Sequence, residues 1–493
     1  IDGAPTAVYS ITYPDLTDAG FTDPANVSVW GYGGCADVKT VGRPMAQVPA
    51  LHRNGHIYFY GLGPEQIKVT STQTTRIRNP YAAAGSYFLT DTATPTAPAA
   101  STASVADNTV VQTTHTAAML WEREDTCPAL GGTEWFTHNV MAWNGETVDF
   151  DLSSVADATI SLYMRYAMYS TRSNSVILTP DQPNLSRLST SPVRATTIGS
   201  RKGNVFTRGY TTTRYTASPL PADGTLSFTP SVEYPEAADY ALIDYATLTY
   251  KRHNDLNGLT SRTMYFNDGS SGPLAASFTG VSATTEIWDI TNPIQPQALI
   301  LTDDGKTVIP RNGTTATLVA FDTSKPQRSV RFRGISSIDD ILTETTGADM
   351  IIIAATPLME AACELAGIHE QLQGMKVTVC DQQSIFNAYS SGTPHPESIR
   401  RYVTDATQAN SNLRYLLIYG AANFNNRIVL GEDSPYVLTY QCESETYSNN
   451  TQYAFMSDDF YAITDSRNPI DGSSALLKKA TLAVGRITVY GTS

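Results

Sequence analysis

The chain is poor in charge for its 493 residues. Only 16% are Asp, Glu, Lys or Arg, and the balance is acidic, with a formal net charge of −14. It contains no Lys/Arg-rich run, so it lacks both the field that gathers a polyanion and the cations that neutralise phosphates. Nucleic acid is therefore excluded as an expected partner. No apolar run reaches the roughly 20 residues of a membrane-spanning helix, and the longest, 350–355, has only a strand's length. Five cysteines (Cys35, Cys127, Cys363, Cys380 and Cys442) are widely spaced with no CxxC pair, which signals neither a zinc–thiolate site nor a disulfide framework. No phosphate-binding glycine pattern accompanies the stretches at 31–34 and 61–64, which read as turns. The first residue, Ile1, is neither an initiator Met nor part of a signal segment, so a processed or trimmed N-terminus is expected.

What the chain has instead is core material and tyrosine. Hydrophobic residues make up 41%, and 27 tyrosines with many threonines favour β-structure. At about 150 residues per domain, the length implies roughly three domains. Residues 1–106 read as a β-rich domain, with an Asn54-Gly55 hairpin turn and a Thr/Pro/Ala-rich linker at its end. Residues 107–254 alternate: Ile160, Leu162, Met164, Tyr166 and Met168 share one strand face while Ser161, Arg165 and Tyr169 share the other. With turns at 219–224, this predicts a β-sandwich of jelly-roll type. Residues 255–345 continue with short strands and turns such as Asn312-Gly313, and are expected to pack with 1–90.

Near residue 346 the pattern changes. A continuous apolar strand at 350–354, a helix at 358–373 capped by Gly374, a strand at 376–380, a helix at 396–407 and a strand at 414–419 form a right-handed parallel α/β unit. On the first helix Leu358, Ala362, Leu365, His369 and Leu372 share one stripe. The expected fold class is therefore multidomain: β-rich region, β-sandwich, then α/β with a parallel sheet over 346–493.

Chemistry in such sheets sits beyond the carboxyl ends of the strands, at Ala355, at Cys380-Asp381 and from Gly420 onward. Cys380 has the position of a thiolate nucleophile, but the reading adopted is a small hydrophobe closing a core strand. His369 reads as a core or edge histidine rather than a base, and Cys363 lies on the helix's polar face. The stretch 420–427 has no carboxylate for acid–base work. Asp458 and Asp459, paired acids in a loop, suit a hard cation such as calcium, although solvated or helix-capping acids are the alternative. No dyad, triad or metal cluster is legible.

Several ordered stretches carry a resemblance. "GADMIIIAATPLMEAACELAG", "SIFNAYSSGTPHP", "LRYLLIYGAANFNNR", "SDDFYA" and "VGRITV", preceded by "VYSITYPDLTDAG", "NPYAAAGSYFLT", "GTEWF" and "EIWDITNP", resemble the gingipain-type cysteine peptidases, in particular the type IX secretion sortase subgroup. The resemblance implies a caspase-like three-layer α/β domain, of which 346–493 is the first half. It implies a Cys nucleophile with a His, both downstream of the V-G-R element. Here that element is Val484-Gly485-Arg486, so no catalytic residue is expected within this chain. It also implies secreted cargo with C-terminal sorting domains, a lipopolysaccharide acceptor, other secretion-system components, and the outer membrane or surface of a Gram-negative bacterium. No cofactor is required, with structural calcium possible. The family's G-D and Y-D-N-R become Gly420-Ala421 and 424–427 (Phe-Asn-Asn-Arg), its I-Y-N-E-F becomes 385–389, and its V-G-R-x-P proline is Thr488. The alternative expectation is a surface β-sandwich binding protein with a degenerate peptidase-like domain.

Overall fold

The computed structural model describes the chain apart from residues 1, 4, 71–72, 107–108, 128–132, 138–139, 141–145, 171–172, 184, 193–206, 217–223, 237–238, 312, 337, 339, 426–433, 444–453, 466–478 and 490–493. The turns expected at 219–223 and Asn312 lie outside the described residues.

The N-terminal region builds two small antiparallel sheets on one core. Asn54 and Gly55 both take positive φ, 50° and 75°, which is the backbone a tight two-residue hairpin between Ala50–Arg53 and His56–Gly61 requires. Residues 91–106 are largely irregular, as expected of a linker. Within them Ala99–Ala100 joins the edge of a nine-stranded sheet, in parallel with Gln297–Ala298.

That sheet runs from Ala99–Ala100 through strands of 261–322 to Thr114–Glu122, Tyr240–His253, Val155–Tyr169 and Thr207–Thr216. The alternation read on Val155–Tyr169 is realised, since Ile160, Leu162, Met164, Tyr166 and Met168 are all buried in one core. A four-stranded sheet built on Val148–Leu152, Gly224–Val232, Val176–Pro180 and Leu188–Ser189 supplies the opposite side of that core. The nine-stranded sheet is continuous across residue 254, though the 256–320 core is separate. Strands of 285–322 pack on the N-terminal region, where Val8, Tyr58 and Tyr60 share a cluster with Trp288 and Phe321.

Buried charge ties these parts together. Arg76, on the hairpin Glu65–Val69/Thr74–Arg78, reaches Asp244 at 2.7 Å, pairs with Glu122, and lies 4.6 Å over the Tyr245 ring. Arg165, from the outward face of its strand, pairs with Glu134 and Asp244. Burial holds the Asp244 carboxyl above its ordinary range despite both cations.

The α/β unit has a four-stranded parallel sheet, ordered β2-β1-β3-β4. Its strands are β1 (Met350–Ala354), β2 (Val377–Asp381), β3 (Tyr415–Tyr419) and β4 (Ala483–Ile487). Helix α1 (Met359–Gln373) covers one face and ends at left-handed Gly374, φ 65°. Helices α2 (Gln382–Ser390) and α3 (Pro396–Ala409) cover the other. Of the stripe expected on α1, Leu358 precedes the helix and packs in the core of the opposite face, Ala362 is buried against the sheet, and Leu372 is 80% exposed.

The N-terminal region grips the turn after α2. Tyr32 N–H donates to Ser391 Oγ, Thr393 Oγ1 donates to the Gly33 carbonyl, and Asn79 donates to the Gly34 and Pro394 carbonyls. The approach is close: a Cβ at Gly31, whose φ is +128°, would stand 2.9 Å from Ser391 Cβ. Behind this turn, buried Glu397 receives Arg400 at 2.6 Å and Arg401 at 3.0 Å, and Arg400 also donates to the Ile463 carbonyl. His395 caps α3 by accepting the Glu397 N–H on Nδ1, and burial, with Arg401 nearby, lowers its imidazole to about 3.

Two outcomes follow. Glu397→Ala strands a fully buried Arg400 and should lower the unfolding free energy in urea by about 3–5 kcal/mol. Between about 3 and 6.5 the unfolded chain holds a His395 proton that the folded chain lacks, so this stability is complete above 6.5 and is lost as pH falls. His115, lowered to about 3 by burial, acts in the same sense. His395→Asn, which keeps a capping acceptor, should flatten the pH dependence of the thermal midpoint below pH 6.5.

Candidate functional site

Strand order reverses at β1: the chain passes first to β2 on one side and then to β3 on the other. Helices lie on opposite faces of the two crossovers, which puts the topological switch point, the place where open α/β sheets carry their crevice, at the carboxyl ends of β1 and β3. The residues at that place are Ala355-Thr356 and Gly420-Ala421, with Asp381-Gln382 to one side.

The chain itself crosses this crevice. Gln382 donates to the Tyr436 carbonyl at 2.7 Å and accepts the Leu438 N–H at 3.2 Å, while Ala421 bridges to Tyr436. Gly420 has φ +145°, and a Cβ there would meet the Pro435 carbonyl at 2.8 Å. Asp381 accepts from Thr356 Oγ1 at 2.8 Å and caps α2 through the Gln383 N–H at 2.9 Å. Burial raises its carboxyl above the usual range. Periodicity in the sequence predicts no helix over 382–390, although Asp381 two residues before Gln383 and the Ser-Gly after α2 are the start and stop signals that mark one.

Beneath the crevice sits Arg486. Its fork donates from Nε to Asp458 Oδ2 (2.7 Å) and from Nη2 to Asp458 Oδ1 (2.6 Å). It also reaches the carbonyls of Gly420 (2.9 Å), Val437 (3.0 Å) and Leu438 (3.2 Å). These contacts employ the whole donor set of a guanidinium. Three of the motif stretches thus meet on one side chain.

The candidates read from the sequence separate accordingly. Cys380 is buried beside the Tyr402 hydroxyl, and burial pushes its thiol up to about 12, so it is a core residue and not an available thiolate. Cys35 is likewise buried and raised to about 12. Cys363 is exposed on α1, and His369 bonds Gln373 at 2.9 Å on the same helix. Among the described residues, those around Asp458 and Asp459 do not make the ligand set that the calcium expectation needs. Calcium takes about six to eight oxygens, whereas both Asp458 oxygens already accept from a cation, and Thr439 donates to one of them. Asp459 is exposed at the start of a short turn. Among the described residues no group of three His, Cys, Asp or Glu side chains could hold a metal ion. Asn426 and Arg427 lie outside the described residues. The side of the loop that is described is held by Gln441, which donates to the Asn423 and Phe424 carbonyls, and Phe424 stacks on Trp135 at 5.8 Å.

Residues 343–493, which hold the α/β unit, match the model of peptidase family C25. The chain is also similar to a solved structure, dimeric latent PorU from Porphyromonas gingivalis. The likeness covers 100% of this chain and 48% of that one, at 21% identity and a TM-score of 0.83. The fold is shared throughout, and the chain spans about half the length of that protein. A structure of infectious bursal disease virus Gt strain aligns over 75% of this chain and 72% of its own at 9% identity, but its TM-score of 0.17 carries no argument. No curated protein matches the chain.

Arg486→Lys keeps the charge but not the fork, and should cost about 2 kcal/mol of stability in urea denaturation. Adding Asp458→Asn to it should cost little more, and EDTA should leave the unfolding midpoint unmoved. On the folded protein, iodoacetamide should modify Cys363 ahead of Cys35, Cys127 and Cys380, as peptide mapping will read.

Proposed function

We propose that this chain is the scaffold and first half of a gingipain-like cysteine peptidase of the type IX sortase kind, with the His and Cys of its dyad supplied by chain beyond residue 493. The single observation that carries the reading is the Arg486 network. It joins the Gly420, Asp458 and V-G-R motif positions into one support beneath a strand-end crevice. In this reading the crevice edge orients the reacting peptide, and the downstream thiolate attacks its carbonyl; the C–N bond breaks, the His protonates the departing amine of the C-terminal fragment, and the thioester left behind is resolved by an incoming amine or water. The substrates are secreted proteins with C-terminal sorting domains, handed to a lipopolysaccharide acceptor at the outer surface of a Gram-negative cell. Among the described residues no helix is long and apolar enough to cross a membrane.

Ala421 favours a second reading, a surface binding protein with a degenerate peptidase-like domain. Ala421 stands where the family has Asp, is fully buried, and is engaged through its backbone with Val489 and Val437. Such a site has been given over to packing.

The longer gene product separates the two. A peptidyl acyloxymethyl ketone should label one cysteine encoded past codon 493, next to a strand-end position and preceded by a His-Gly pair. Its replacement by Ala should abolish cargo processing in cells. Labelling confined to the five cysteines of this chain, with processing intact, would count against the peptidase reading.

A further inference from the structure

Two motif stretches that lie far apart in sequence meet at Trp135 and Phe424. Their rings stack with centroids 5.8 Å apart and planes 11° from parallel. Both neighbours of Trp135 are fastened to the nine-stranded sheet. Glu134 pairs with Arg165. Phe136 is fully buried against Ala167 and Leu242, and it exchanges backbone hydrogen bonds with Thr126 at 2.9 Å. Beyond it, Thr137 N–H donates to the Ile243 carbonyl at 2.8 Å, and Thr137 Oγ1 accepts the Ile243 N–H at 3.0 Å. The indole is thus presented to Phe424 from a segment anchored on either side.

The same loop has a second hold. Gln441 Nε2 donates to the Phe424 carbonyl at 2.8 Å and to the Asn423 carbonyl at 3.3 Å. Gln441 is in turn fixed by Tyr81, whose hydroxyl donates to the Gln441 carbonyl at 2.9 Å and accepts its N–H at 3.0 Å. Within the loop, the Asn425 N–H donates to Asn423 Oδ1 at 2.8 Å, an Asx turn that keeps 423–425 compact. The ends of β1 and β2 are fastened from inside the α/β unit, where the Ala355 carbonyl accepts the Leu358 N–H and Asp381 caps α2. The loop after β3 depends in addition on side chains from outside that unit.

We propose that Trp135 and Tyr81 are positioning residues for the strand-end site: acting through Phe424 and Gln441, they fix the loop 423–425 against which the reacting peptide lies. This role rests on the peptidase reading given above. Neither residue is required to touch the reacting atoms. Their effect is on the fraction of time the loop stands in its binding position, and so on peptide affinity rather than on the maximal rate. An aromatic pair of this kind shifts such a population by about three- to tenfold. The Glu134-Trp135-Phe136 and Asn79-Pro80-Tyr81 stretches thereby share one task, although one belongs to the β-sandwich and the other to the N-terminal region.

The test uses the longer gene product, with hydrogen exchange over 421–425 and labelling by the peptidyl acyloxymethyl ketone as separate readouts. Trp135→Ala should speed exchange over 421–425 by about three- to tenfold and leave exchange in β1 unchanged. It should raise the ketone concentration for half-maximal labelling rate by about the same factor, with the maximal rate within about twofold of the parent. A residue that only stabilised the fold would lower the labelled fraction and the unfolding midpoint without moving that concentration. Trp135→Phe should restore most of both effects. Trp135→Ala combined with Phe424→Ala should exchange no faster than either alone, since both remove one contact. Tyr81→Phe, which keeps the ring and loses the hydroxyl, should speed exchange in the same loop. Unchanged exchange over 421–425 in Trp135→Ala or Tyr81→Phe, or additive effects of the two ring removals, overturns the proposal. So does faster exchange with an unmoved half-maximal concentration. A parent protein that labels at no cysteine past codon 493 sinks the peptidase reading and with it the role in peptide affinity, while the exchange result still decides whether the two residues fix the loop.

Discussion

The α/β unit closes around one guanidinium. Among the described residues β4 pairs with a strand on one side, and its exposed residues offer little apolar area to hold it there. Arg486 supplies the missing hold by binding the end of β3, the segment that crosses the crevice, and the Asp458 carboxylate together. Only a planar fork with donors on both sides meets that demand, which a lysine's point charge does not. It also accounts for the unequal fates of Asp458 and Asp459, adjacent in sequence. One is consumed as a counterion, and the other caps nothing and faces water.

The same economy of charge recurs where the parts of the chain meet. Arg400 and Glu397 anchor α3 to the turn that follows Asp458, because Arg400 reaches both Glu397 and the Ile463 carbonyl and lies 5.8 Å from the Phe460 ring. Arg76 does likewise between the N-terminal hairpin and the large sheet. A protein with few charged residues has placed several of them inside, each paired, where removal of one partner is costly and exposure to salt is slight. The N-terminal region is thereby an integral wall of the α/β unit, since Tyr81 also exchanges hydrogen bonds with the backbone of Gln441.

The strongly periodic parts of the fold were legible from residues alone. Five alternating apolar side chains from Ile160 to Met168 identify a half-buried strand, and 350–354 identify a central parallel one, because burial imposes those periods directly. Helix α2 is short and its apolar residues give only a brief pattern, so the capping by Asp381 is what marks it. Leu372 shows the converse: helical spacing indicates a shared stripe but not how far along it burial extends. At the site, the motif resemblance located the right segments, yet Asp458 suggested a metal because its partner lies at Arg486, 28 positions away in sequence. Long-range electrostatic pairing has no local signature, so a carboxylate held by an arginine and one held by a cation look alike until the chain is folded.

The order in which the parallel sheet is assembled has a temporal meaning as well. β3 ends at Tyr419 and its neighbour β4 begins at Ala483, with β1 and β2 made well before either. During synthesis the center of the sheet is therefore complete while its fourth strand, and the arginine it carries, is still to come. Until Arg486 arrives, the Asp458 carboxylate and the carbonyls at 420, 437 and 438 must be satisfied by water, and the crossing segment has nothing beneath it. Pairings with such a long sequence separation form late and slowly. Among the described strands, the hold that Arg486 supplies therefore comes after β1, β2 and β3 have paired.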